Sequence, residues 1–242
     1  MAKSNKFVYF FGGKKAEGNL KLKNLLGGKG AGLADMVNLG IPVPPGFTIT
    51  TDACTLFYKA GMKLPKGLEK EVAGNIKKME KIMGAKFGDP KNPLLFSVRS
   101  GARVSMPGMM DTVLNLGLNE KTVEGLAKLT KNPRFAYDCY RRFVQMYGDV
   151  VLGLKPANEH EHDPFEVIID RKKKARKITS DTDLTVDDLK DLVKEFKKAI
   201  KQRLGVTFPE DPMEQLWGSI GAVFKSWNTD RAVAYRQLND IP

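Results

Sequence analysis

The run Gly27-Gly28-Lys29-Gly30-Ala31-Gly32 could grip a phosphate. Its glycines have no Cβ, so an anion can reach bare backbone N–H groups. A helix starting there would aim its positive end at the same point, and Lys29 would add a mobile ammonium. The spacing is not that of a Walker A loop, because Gly30 rather than Ser or Thr follows Lys29. A glycine turn with a solvated lysine is the competing reading. The stretch Ser97 to Thr112 is a second candidate. Arg99, at the end of a predicted strand, offers a planar fork suited to phosphate. Beyond it lie Gly101, Gly108 and the hydroxyls of Ser100, Ser105 and Thr112, which can fold over a phosphate chain. Met106, Met109 and Met110 supply adaptable apolar contact, for a nucleotide base or for the loop's own footing. The competing reading is a surface loop whose arginine pairs with a nearby acid.

Three further clusters are weaker. Arg134, Asp138 and Arg142 recur every four residues, so on a helix Asp138 would pair with both arginines; the alternative is a phosphate or docking role for Arg142. Glu159-His160-Glu161-His162-Asp163 holds only ligand-type side chains, but adjacent loop residues make poor metal sites, and the chain has no further histidine. Arg171 to Lys177 is basic at every position but Ala175, without the interleaved aromatics of a nucleic-acid platform. It reads as a solvated helix end. Cys54 and Cys139 lie in apolar contexts and read as small buried hydrophobes in a reducing compartment.

The elements that must position these residues follow from patterning. Phe7 to Phe11 reads as a strand. Leu33, Met36 and Val37 carry a helix out of the glycine run to Gly40. Pro42, Pro44 and Pro45 forbid a helix before the short strand Phe47 to Thr50. Thr51 or Asp52 can cap the next helix, and another covers 66–84. Leu94 to Arg99 reads as a buried strand. Beyond 119 the pattern turns helical, over 120–130, 133–152, 164–175, 185–204 and 212–227. Asn132-Pro133 is a helix start, and Thr185 with Asp188 forms a capping box with Asp in place of Glu.

The chain has 242 residues, enough for a sizeable core, and a net charge of +12. Nothing in it approaches a transmembrane stretch, and its N-terminus lacks a signal-peptide pattern. The positive balance favours anionic partners: nucleotides, phosphates, nucleic acid or an acidic protein.

Several segments together resemble the N-terminal part of the pyruvate, phosphate dikinase family. They are Leu25 to Gly30, Ile41 to Thr51, Ser97 to Leu118, Asn132 to Asp149, Phe224 to Trp227 and Asn239 to Pro242. The likeness covers nearly the whole chain and is weakest at 60–85 and 153–180. It implies an α+β fold, the first part of an ATP-grasp-like nucleotide-binding domain with a mainly helical inserted subdomain. The expected division is 1–114 plus 201–242 for the α/β part and 115–200 for the helical part. The resemblance implies that ATP and Mg²⁺ serve to phosphorylate a histidine on a separate domain, which then passes a phosphoryl group to pyruvate. It implies that Lys29 contacts the ATP phosphates and that Arg99 stabilises charge on the transferring group. Arg103, Ser105, Met106, Gly108, Met109, Met110, Asp111 and Thr112 would form the loop over the phosphates, and Arg142 would sit near the same site. Family chains continue past Pro242, and the acidic Mg²⁺ ligands are expected there. The 242 residues are therefore expected to be a truncated, inactive portion, with ATP and the phosphohistidine domain as partners. No nucleic-acid or membrane partner and a cytoplasmic location are expected, and the intact enzyme is expected to be a homodimer. A basic docking module for nucleic acid or an acidic protein is the alternative.

Overall fold

A computed structural model describes residues 6–241. The backbone gathers into two compact units. The first runs to Ala85, then takes in Ser100–Met110 and the chain from Phe224 on; the second comprises Lys86–Arg99 and Asp111–Val223.

In the first unit the apolar run near the N-terminus becomes β1 (Val8–Gly12), the middle strand of an antiparallel sheet. Its neighbours are β2 (Lys15–Ala16) and β3 (Gly46–Ile49), with Val8 opposite Ile49 and Phe11 opposite Gly46. A 3-10 turn (Leu20–Leu22) leads into α1 (Lys23–Asn38), which packs on this sheet. The unit adds α2 (Thr51–Lys59) and α3 (Leu68–Met83). Thr50, one residue earlier than the sequence suggested, caps α2 by accepting the Ala53 N–H. From α3 the Glu71 carboxylate accepts the N–H groups of Phe7 and Val8 at 3.0 and 2.8 Å, tying helix to strand.

The second unit opens with β4 (Lys86–Phe87), parallel to β5 (Pro93–Leu94). The single strand expected over 94–99 is divided at Leu95, and β6 (Phe96–Arg99) pairs antiparallel with β7 (Thr112–Leu116). The helices that follow are α4 (Thr122–Thr130), α5 (Pro133–Val150), α6 (Pro164–Arg176), α7 (Val186–Leu204) and α8 (Pro212–Ser226), close to the ranges the periodicity predicts. Asn132 caps α5 ahead of Pro133, and both bonds of the Thr185–Asp188 capping box form at α7. Of the apolar stripe Val186, Leu189, Leu192, Val193, Phe196 and Ile200 that the spacing predicts on α7, all but the half-buried Val186 are buried. The stripe packs toward α5, whose Tyr140, Phe143 and Tyr147 are buried as well; each such side chain contributes about 1.5–3 kcal/mol of transfer free energy. The boundary between the units falls inside α8, and α9 (Asp230–Leu238) follows it. No helix among the described residues is long and apolar enough to cross a membrane.

Candidate functional site

The glycine run is where α1 is broken. Gly27 has φ 70° and ψ 169°, so the regular helix begins after it. This backbone region is essentially restricted to glycine. The space a Cβ would need is also taken, since it would lie 1.5 Å from the Gly101 carbonyl oxygen. The loop Ser100–Met110 is thus seated directly on the start of the helix. Three hydrogen bonds fix it there: the Gly28 N–H donates to the Ala102 carbonyl at 2.9 Å, Lys29 Nζ to the Ser100 carbonyl at 3.1 Å, and Arg103 Nε to the Asn24 carbonyl at 3.0 Å. One face of the glycine run is therefore occupied by this chain's own loop. The ammonium of Lys29 is exposed and held beside that loop.

Past Arg103 the loop is open. Ser105, Pro107 and Gly108 are exposed, whereas Met106 is buried and accepts the Met109 N–H at its carbonyl. Met106 thus serves as an apolar foot, while Met109 and Met110 are half-buried. Lys29 and Arg103 make no ion pair among the described residues, so neither charge is neutralised by a carboxylate.

The remaining candidates lie in the second unit. Arg99 ends β6, exposed, with Thr112 as its register partner on β7, and it makes no ion pair among the described residues. Asp111, half-buried, directly precedes that strand. Further along β7, the Leu114 N–H donates to Met146 Sδ at 3.2 Å and Asn115 Nδ2 to the Cys139 carbonyl at 3.5 Å, which seats the strand on α5. Leu114, Asn115 and Arg142 line one cleft of about 600 Å³. A single strand therefore carries Arg99 opposite its start and Arg142 beside its middle.

The ion pairing on α5 differs from the expected every-fourth-residue ladder. Asp138 does bind Arg142, Oδ2 to Nε at 3.0 Å. Its other partner is Arg141, at 2.7 Å from Oδ1, rather than Arg134. Arg134 reaches the carbonyls of Leu184 and Asp181 instead. Spacing of three is as good as spacing of four on a helix, and Arg141 is the buried arginine, 3% exposed. The every-fourth-residue rule does not single it out, because charge spacing carries no information on which arginine faces the core.

The other clusters have structural uses. In the basic run, Arg171 pairs with Glu195, Lys172 with Asp191, Lys173 with Asp181 and Arg176 with Asp188. Asp163 caps α6 through the Phe165 and Glu166 N–H groups, and Glu161 pairs with Arg203. Among the described residues no group of three or more His, Cys, Asp and Glu side chains is gathered as metal ligands. Burial pushes the Cys54 thiol up to about 11. Burial, then the charge of Asp138, raises that of Cys139. Neither cysteine is a ready thiolate.

Cations without carboxylate partners beside a glycine-rich loop fit the class of proteins that bind nucleotide phosphates. The family described as pyruvate phosphate dikinase, AMP/ATP-binding domain, matches residues 23–66 and 60–242, and the chain belongs to that family. It is 52% identical over 238 residues to the pyruvate, phosphate dikinase of Clostridium symbiosum, covering 98% of this chain and 26% of that protein. It is 51% identical over 237 residues to the enzyme of the same name from Rhizobium meliloti (98% and 26%), and 50% over 239 residues to pyruvate, phosphate dikinase 2 of Zea mays (99% and 26%). The chain spans about a quarter of the length of these relatives.

Proposed function

We propose that this chain is the nucleotide-binding portion of a pyruvate, phosphate dikinase and that its fold is the first part of an ATP-grasp-like domain. The full reaction converts ATP, phosphate and pyruvate to AMP, pyrophosphate and phosphoenolpyruvate, through a phosphohistidine on a separate domain of a dimeric, cytoplasmic enzyme. The observation that carries this reading is the docking of the Ser100–Met110 loop on the broken start of α1, with Lys29 held at its base and no carboxylate opposing it.

In this reading Lys29 exchanges the Ser100 carbonyl for ATP phosphate oxygens. Arg99 stabilises charge that builds on the transferring group. Phosphoryl transfer depends mostly on such positioning and charge stabilisation. Arg103, Ser105 and Gly108 close over the phosphates, Met106, Met109 and Met110 support the loop or the base, and Asp111 and Thr112 anchor its far end. Arg142 acts on the same anionic ligand. Mg²⁺ would arrive with the nucleotide. Its protein ligands are proposed, on the family resemblance, to lie elsewhere in the enzyme, and no step is assigned to it. The 242 residues alone are proposed not to turn over.

Calorimetric titration with a non-hydrolysable ATP analogue, with and without Mg²⁺, tests this. Binding that Lys29→Ala and Arg99→Ala each weaken by about tenfold, roughly 1.4 kcal/mol, is the expected result. A folded wild type that binds no nucleotide, or variants that bind as well as wild type, would overturn the site. Formation of phosphoenolpyruvate by this chain alone would overturn the claim of inactivity.

A further inference from the structure

We infer that Asp138 is a positioning residue: gripped by the buried Arg141, it fixes the guanidinium of Arg142 toward an anionic, phosphate-bearing ligand. The inference rests on the proposed nucleotide site only for the identity of that ligand.

Three observations carry it. First, Arg141 is 3% exposed, and its Nη2 reaches Asp138 Oδ1 at 2.7 Å and Asp181 Oδ2 at 3.4 Å. Its Nε is buried without a hydrogen-bond partner among the described residues. A buried guanidinium does not lose its proton, so its charge must be met by these carboxylates. Asp138 is therefore held in one place by a group that cannot let go cheaply. Asp181 is itself fixed by Lys173 Nζ at 3.2 Å and, through its carbonyl, by Arg134 Nη2 at 2.8 Å. The frame behind Asp138 is thus rigid.

Second, the carboxylate is divided between two arginines. Oδ1 goes to Arg141 and Oδ2 to Arg142 Nε. Asp138 is therefore shared between the two arginines, while Asp181 is the second carboxylate of Arg141. Third, Arg142 is held through Nε alone, and its side chain is 60% exposed. Its two terminal nitrogens, the fork that matches a phosphate, make no ion pair among the described residues, and the cleft that Arg142 helps to line also carries Asp149, Asp163, Glu166 and Asp181. An exposed arginine normally loses much side-chain entropy when a ligand orders it. The Asp138 contact fixes Arg142 in advance.

The test compares Asp138→Asn, Asp181→Asn and Arg142→Lys in the 242-residue chain. The direct readout is the ¹H–¹⁵N signal of Arg142 Nε, assigned by its loss in Arg142→Lys. It should be protected from exchange in wild type and in Asp181→Asn, and should exchange with solvent in Asp138→Asn. The second readout is affinity for the ATP analogue. Asp138→Asn should weaken it about threefold to tenfold, the range for releasing one long side chain that the ligand must then order. The double variant Asp138→Asn/Arg142→Lys should be no weaker than Arg142→Lys alone. Asp181→Asn removes a partner of Arg141 without touching Arg142; it should lower the melting temperature and leave the Arg142 Nε signal protected. An unprotected Arg142 signal in wild type, or one unchanged in Asp138→Asn, would overturn the inference. So would additive effects on affinity. If wild type binds no nucleotide, the proposed function fails, while the Nε signal still decides the role of Asp138.

Discussion

Replacing Gly27 by Ala should unseat the Ser100–Met110 loop from α1. An alanine at φ 70° and ψ 169° costs about 1–3 kcal/mol in backbone strain. Its Cβ would also lie 1.5 Å from the Gly101 oxygen, a contact that only movement of one backbone can relieve. Moving the loop breaks the Gly28–Ala102 bond, worth about 1 kcal/mol net. It also breaks the Lys29–Ser100 bond, which exposure to solvent limits to a few tenths of a kcal/mol up to about 1 kcal/mol. Together these terms give about 3 kcal/mol, or roughly a hundredfold shift in loop opening. Hydrogen exchange at the Gly28 amide reads it directly, because that N–H is protected by the Ala102 carbonyl. Gly32→Ala is the matched control: it lies in the same helix, and nothing stands within 4 Å of the place its methyl would take. It should be neutral or gain up to about 1 kcal/mol, as alanine replaces glycine in a helix interior. A Gly27→Ala protein whose Gly28 amide exchanges at the wild-type rate would refute the close approach and the seated loop with it.

Two other predictions concern the second unit. Burial opposes the ionised form of Asp188, but hydrogen bonds from the Thr185 side chain and backbone, with Arg176 and Lys172, hold its carboxyl below the ordinary 3.8. Because its folded value is depressed, its contribution is fully present above 3.8 and is lost as pH falls through the lower folded value. Wild type should thus lose stability below that pH while Asp188→Asn, about 1 kcal/mol weaker at neutral pH, changes less in acid melts; parallel profiles would contradict this. Gln215 is fully buried, accepts the Gly117 N–H and donates to the carbonyls of Leu118 and Pro209. Gln215→Leu leaves three backbone groups without this partner and should cost about 3 kcal/mol or more in urea unfolding, whereas a loss under about 1 kcal/mol would mean the groups find other partners.

Legibility followed burial. The helix over 186–204 was plain because Leu189, Leu192, Phe196 and Ile200 repeat on one buried face between a capping box and Gly205. By contrast, α9 buries only Ala232, so no stripe announces it. Strand β7 (Thr112–Leu116) has no signature in the sequence pattern, because Asn115 at φ 60° interrupts its extended backbone and Gly117 marks only where it has ended. At the candidate site, residue types single out Lys29 and the stretch Ser97 to Thr112, yet not how they meet. Both Gly27 and Gly28 look permissive in sequence. Only the position of Gly101 decides that Gly27 takes the forbidden conformation while Gly28 stays helical. On α5 the spacing rule found Asp138 and Arg142 but chose Arg134 over Arg141, because a pairing rule contains no information on which arginine faces the core.

Charge shows the same limit from another side. The densest basic run, Arg171 to Lys177, looks in sequence like the strongest anion attractor. In the fold, Arg171, Lys172, Lys173 and Arg176 are met by acids from α7 and from the turn before it. These are mostly exposed pairs, worth little to stability, but each cancels charge that a ligand could have used. Lys29, Arg99 and Arg103 stand singly in sequence and draw no such attention as charges. Lys29 and Arg103 are held by carbonyl oxygens, which accept a hydrogen bond but leave the full positive charge in place. A cation oriented by a carbonyl is both positioned and available, whereas one oriented by a carboxylate is positioned and spent unless, as at Asp138, a second arginine already satisfies the acid. By that criterion Lys29 and Arg103, rather than the basic run, are the cations suited to hold a phosphate.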